Sequence, residues 1–129
     1  MRSISMFKPL VNKQAIKRVV KTLQSGWIGE GAQVQEFESQ IKKITRANYI
    51  TAVNSGTSAL HLALIIAGVS ADDEVITTAQ TMLATTQAIL AVGAKPVYAD
   101  IQYKTGNIDS KDIEKRITRK TKAILPVDW

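Results

Sequence analysis

The amino-acid sequence predicts an α/β fold: a mostly parallel sheet with flanking helices, preceded by two helices. Three observations carry that expectation. From Tyr49 onward, short runs rich in β-branched residues alternate with longer apolar or amphipathic segments. Gly68, Asp72-Asp73 and Gly93 punctuate the junctions. Before residue 48 only helical periodicity is present. The resulting βαβαβαβ order implies parallel strands joined by right-handed crossovers.

The elements follow in order. Asn12 can cap a first helix, in which Ile16, Val19, Val20 and Leu23 share one face, and Ser25-Gly26 ends it. Trp27-Ile28-Gly29-Glu30-Gly31 reads as a glycine-punctuated loop. A second helix carries Val34, Phe37, Ile41 and Ile44 on one side. Strands are expected over 49–53, 74–77, 96–101 and 122–127, with helices over 57–67 and 82–92 and a short one running from its cap at Asp109 to Ile117. Residues 1–48 form a helical segment and 49–129 a partial α/β domain, with no repeat or linker between them. Four parallel strands leave a sheet edge and one helix layer incomplete, so the chain reads as part of a larger domain.

The stretch with most chemical meaning is Asn54-Ser55-Gly56-Thr57-Ser58-Ala59-Leu60. It joins the carboxyl end of an expected strand to the amino end of an apolar helix. That junction leaves backbone N–H groups without helical partners and adds the positive end of the helix dipole. Ser55, Thr57 and Ser58 can donate from hydroxyls, and Gly56 admits a ligand close to the backbone. The product is a cup for a phosphate group. The plainer reading, a helix cap and nothing more, stands beside it. No GxxxxGK[ST] and no GxGxxG occurs, so a phosphate outside ATP and NAD is expected.

Composition narrows the rest. The chain has 129 residues, 45% hydrophobic and 22% charged, as expected of one soluble domain with a core. It has no cysteine and one histidine, so neither a disulfide framework nor a metal site is expected. Met1–Met6 lacks an apolar core of signal type, and no apolar run nears the ~20 residues of a membrane span. No membrane association and a cytoplasmic location are the expectation. Net charge is +6, but the basic residues fall on or just beyond the polar faces of amphipathic helices without interleaved aromatics. Nucleic acid is therefore not expected as a partner, while an anionic substrate would benefit from the field.

The ordered set of motifs resembles the amino-terminal third of the DegT-like nucleotide-sugar aminotransferases, fold-type I pyridoxal-phosphate enzymes. It runs from Ser25-Gly26 to Gly31, through Val34-Gln35-Glu36-Phe37-Glu38, to Val53-Asn54-Ser55-Gly56-Thr57-Ser58-Ala59-Leu60-His61-Leu62-Ala63-Leu64. It continues with Asp73-Glu74-Val75-Ile76-Thr77, Ala84-Thr85, Gly93-Ala94-Lys95-Pro96-Val97-Tyr98-Ala99-Asp100-Ile101, Thr105-Gly106-Asn107-Ile108-Asp109 and Ile117-Thr118-Arg119-Lys120-Thr121-Lys122-Ala123-Ile124. The resemblance implies an incomplete fold-type I large domain and a homodimer. The implied reaction passes an amino group from an amino-acid donor, usually glutamate, to a keto-sugar nucleotide.

The resemblance also implies site residues. Gly56, Thr57 and Ser58 match the segment that holds the 5′-phosphate of pyridoxal 5′-phosphate. Met82 falls where the family usually places an aromatic ring against the pyridine; a methionine sulfur can cover a ring face less rigidly, and ordinary helix packing is the alternative. Trp27 and Ile28 lie in a loop that approaches the active site and can meet substrate, or that tucks against the dimer partner. His61 reads as a structural histidine, and Glu36 and Glu38 as polar-face residues rather than an acid–base pair. The Schiff-base lysine and the aspartate paired with the pyridinium nitrogen come later in the family than the last strand here. No catalytic residue is therefore expected in residues 1–129, and this chain alone is expected to be inactive. A non-catalytic phosphate-binding or interaction module of partial α/β fold is the alternative.

Overall fold

The computed structural model describes residues 8–128. They divide into two compact units, with the boundary between Ala52 and Val53.

The first unit holds α1 (Lys13–Gln24) and α2 (Ala32–Thr45). The Asn12 side chain accepts the Ala15 N–H at 2.8 Å, so the expected cap starts α1. The second helix follows Gly31 and stops at Arg46, which adopts the left-handed conformation. No residue of either helix is buried, and Ile16, Val19, Val20 and Leu23 stay exposed along one stripe of α1.

The expected strand over 49–53 does not form. Residues 49–53 are irregular, and no described strand pairs with them. The Ala52 N–H is taken instead by the Glu38 carboxylate at 2.7 Å. A strand exists only where a neighbour accepts its N–H groups, and here a side chain does so.

The second unit holds α3 (Gly56–Ile66), β1 (Glu74–Thr78), α4 (Leu83–Ala91), β2 (Lys95–Ala99), α5 (Ser110–Arg116) and β3 (Thr121–Ile124). Among the described residues the expected four strands are thus three, and the last two are shorter than expected. Beyond Ala99, Ile101 turns to an antiparallel bridge with Ile108. Beyond Ile124, the Leu125 N–H still reaches the Ile76 carbonyl at 2.8 Å.

The sheet order is β2-β1-β3 and both pairings are parallel, as the alternation of elements predicts. The chain moves from β1 to its neighbour β2 through α4, then crosses β1 through α5 to reach β3. Right-handed crossovers in these opposite directions put α4 and α5 on opposite faces. The α4 face carries the core of Leu64, Val69, Val75, Ala88, Ile89 and Ala94. Alternation turns Ile76 to the other face, where it is fully buried beside its register partners Val97 and Ile124. Each fully buried Val or Ile contributes roughly 1.5–3 kcal/mol relative to exposure. Gly93 ends α4 at φ +79°, with Ala71 3.3 Å from where its Cβ would lie, so both conformation and space favour glycine there.

Parallel strands bring their carboxyl ends to one edge. Thr78 leads from that edge to Met82, and Ala99 leads to Asp100. This is the edge at which open α/β sheets bind ligands.

Candidate functional site

The turn expected to cradle a phosphate lies at the amino end of α3. Ser55 is the N-cap, and its Oγ accepts the Ser58 N–H at 3.1 Å. The Ser58 hydroxyl lies 2.9 Å from Ser55 Oγ and donates to Asn54 Oδ1 at 2.9 Å. Capping is therefore real, and it occupies Asn54, Ser55 and Ser58. It leaves over the Gly56 N–H, the Thr57 N–H and the Thr57 hydroxyl. None of these three donors has a partner among the described residues. The cap thus uses other atoms of the turn than these three donors. Sequence reading foresaw the donors but missed Asn54 as the acceptor that fixes Ser58.

A Cβ built on Gly56 would meet no protein atom within 4 Å. The backbone there is open to approach, and the helix adds its positive dipole end. Two N–H groups, one hydroxyl and an open glycine suit a phosphate. Ser58 lends geometry more than a free donor.

Met82 is the N-cap of α4, with its side chain 76% exposed. The expected helix over 82–92 begins one residue later. Thr81 and Thr85 hydroxyls meet at 2.8 Å beneath this turn, and Thr86 Oγ1 meets the Tyr98 hydroxyl at 3.1 Å. Met82, Leu83, Thr86 and Tyr98 line a shallow depression. Met82 contributes no capping hydrogen bond from its side chain.

In the first unit, Trp27 and Ile28 sit on the loop between α1 and α2, and both are exposed. Glu36 accepts from Gln40 at 2.9 Å within α2, and Glu38 holds the Ala52 N–H, so the two carboxylates serve separate partners. His61 is half-buried one turn into α3. Among the described residues no cluster of His, Cys, Asp and Glu could hold a metal, and no helix is long and apolar enough to cross a membrane.

Known proteins are similar to this chain in sequence, and solved structures among them in fold. The protein is 44% identical over 121 residues to the spore coat polysaccharide biosynthesis protein SpsC of Bacillus subtilis (strain 168), an alignment covering 94% of this chain and 31% of SpsC. It is 38% identical over 128 residues to a GDP-perosamine synthase of Escherichia coli O157:H7, covering 98% of this chain and 35% of that one. Among solved structures, the pyridoxal-phosphate form of the putative sugar aminotransferase Spr1654 from Streptococcus pneumoniae superimposes with a TM-score of 0.87 at 39% identity, over 95% of this chain and 31% of that one. AtS13 from Actinomadura melliaura superimposes with a TM-score of 0.86 at 38% identity, over 94% and 33% of the two chains. The chain thus spans about a third of the length of the relatives it matches. The sequence pattern of one family matches residues 9–129, nearly the whole chain. The protein belongs to the DegT/DnrJ/EryC1/StrS aminotransferase family.

Proposed function

We propose that these residues are the amino-terminal third of a pyridoxal-phosphate-dependent aminotransferase. The parent enzyme passes an amino group from an amino-acid donor to a keto-sugar nucleotide and works as a homodimer in the cytoplasm. Residues 49–129 supply the first half of its cofactor-binding domain, and residues 1–48 the helical segment before it.

The observation that carries this reading is the set of three unpartnered donors at Gly56 and Thr57, at the amino end of α3. They suit the 5′-phosphate of the cofactor, with Ser58 fixing the turn. Met82 covers the ring, and Trp27 and Ile28 meet the substrate. When bound, the cofactor supplies an electron sink for transamination. The contribution of this chain is to bind and orient; the proton-moving lysine and the ring-pairing aspartate belong to the rest of the parent. Support for a dimer comes from α1, whose apolar stripe is 44% to 61% exposed from Ile16 to Leu23.

The test uses the parent polypeptide with glutamate and a panel of keto-sugar nucleotides. Cofactor-dependent release of 2-oxoglutarate, weakened by Thr57→Ala through cofactor affinity, is the expected result. A Thr57→Ala parent with unchanged cofactor affinity contradicts the assignment of the cup.

A further inference from the structure

The loop between α1 and α2 holds its tryptophan by contacts that composition alone does not suggest. Ser25 Oγ donates to the Thr22 carbonyl at 2.7 Å and accepts the Trp27 N–H at 3.2 Å. The indole Nε1–H donates to the Glu30 carbonyl at 2.7 Å. A Cβ on Gly31 would overlap the indole nitrogen and lie 2.6 Å from its Cδ1. The φ of Gly31 is −179°, extended backbone that any residue adopts. A Cβ at 31 would therefore push the indole aside, so glycine there leaves the space that the indole occupies and is not required by backbone conformation.

We infer that Gly31 is a positioning residue, which with Ser25 sets Trp27 so that the indole meets the substrate by its ring alone. This rests on the reading in which Trp27 and Ile28 contact the substrate. The only donor of the indole is already used by Glu30, so it has no hydrogen bond to offer a ligand. Trp27 remains 68% exposed, beside Ile28 at 73%. Such a surface selects a flat ring or a C–H-rich face and is indifferent to acceptors. A keto-sugar nucleotide offers two such faces, the base and the sugar ring. Because the loop fixes the indole before binding, the substrate does not have to order it.

Two arms test the inference. In this chain, with Trp129→Phe so that the signal is Trp27's alone, Gly31→Ala is expected to shift the emission maximum, lower the anisotropy and raise acrylamide quenching. Ser25→Ala, which leaves the space at 31 intact, is expected to move them less in the same direction. In the parent polypeptide, Gly31→Ala is expected to raise KM for the keto-sugar nucleotide it turns over about tenfold, with kcat within about twofold. The nucleoside diphosphate of that substrate, as a competitive inhibitor, separates the two faces. A Ki that worsens with KM assigns the indole to the base, and an unchanged Ki assigns it to the sugar ring; either supports the inference. Trp27 emission and quenching unchanged in Gly31→Ala overturn it. A freed indole with unchanged KM and Ki overturns the substrate role and leaves the transaminase reading standing. Absence of turnover by the unmodified parent overturns that reading instead.

Discussion

The Asp112 carboxylate accepts the backbone N–H of Asp100 at 2.8 Å, tying α5 to the carboxyl end of β2. The same oxygen accepts Arg116 Nε at 2.7 Å, one helical turn on. The Asp100 N–H, then Arg116, hold this carboxyl below the ordinary aspartate range.

That depression fixes a pH dependence. A carboxyl whose pKa is lower folded than unfolded stabilises fully above the unfolded value, about 3.9. The contribution is lost as pH falls through that value toward the folded one. Asp112→Asn is expected to lower the urea midpoint at pH 7, with the difference from the unmodified chain shrinking below about pH 4. Asp73, held down by the Ser70 N–H and hydroxyl, adds to acid sensitivity in the same direction. Urea titrations at pH 7, 5 and 3 check both.

The core on the α4 face gives a sharper stability test. Ile89 is fully buried and packs in one cluster with Leu64 and Val75. Ile89→Ala is expected to cost about 3 kcal/mol and Ile89→Val about 1 kcal/mol, from lost burial plus the cavity left behind. Equilibrium denaturation followed by circular dichroism reads both. A loss under about 0.5 kcal/mol for the alanine variant contradicts this packing.

Most of this architecture was legible in the sequence because helix periods, caps and turn residues are local. Asn12 and Asp109 cap the helices expected of them. The segment over 49–53 misled because its β-branched residues state a preference, whereas a strand needs a partner. Its Ala52 N–H went to Glu38, fourteen residues earlier, and no local rule marks such a pair. The donors at Gly56 and Thr57 were legible from the turn. The roles of Asn54 and Gly31 were not, since each depends on where a neighbouring side chain falls.

The exposed apolar stripe of α1 predicts association. Ile16, Val19, Val20 and Leu23 form a face that water solvates poorly. Sedimentation is expected to find dimers or larger species at high concentration. Val20→Asp with Leu23→Asp is expected to shift the distribution toward monomer. A stable monodisperse monomer of the unmodified chain contradicts the prediction.

Chemistry should be absent from this chain alone. Incubated with pyridoxal phosphate, glutamate and a keto-sugar nucleotide, it is expected to release no 2-oxoglutarate, because no residue within it is assigned as the proton-moving lysine. Turnover would instead implicate a lysine here, with Lys95 of β2 the first to replace.

The turn before α3 is expected to bind phosphate as well as to cap the helix. This is tested most directly by titrating the isotopically labelled chain with inorganic phosphate and with pyridoxal phosphate, following backbone amide resonances. A few charge-assisted hydrogen bonds, each roughly 1.5–3 kcal/mol, set against the entropy of association, predict affinity no better than about millimolar. The Gly56 and Thr57 amides are expected to shift together and saturably with both ligands, and Thr57→Ala to weaken the response. Shifts confined to the lysine-bearing helix faces, with Gly56 and Thr57 unmoved, would contradict the claim and leave the turn a helix cap alone.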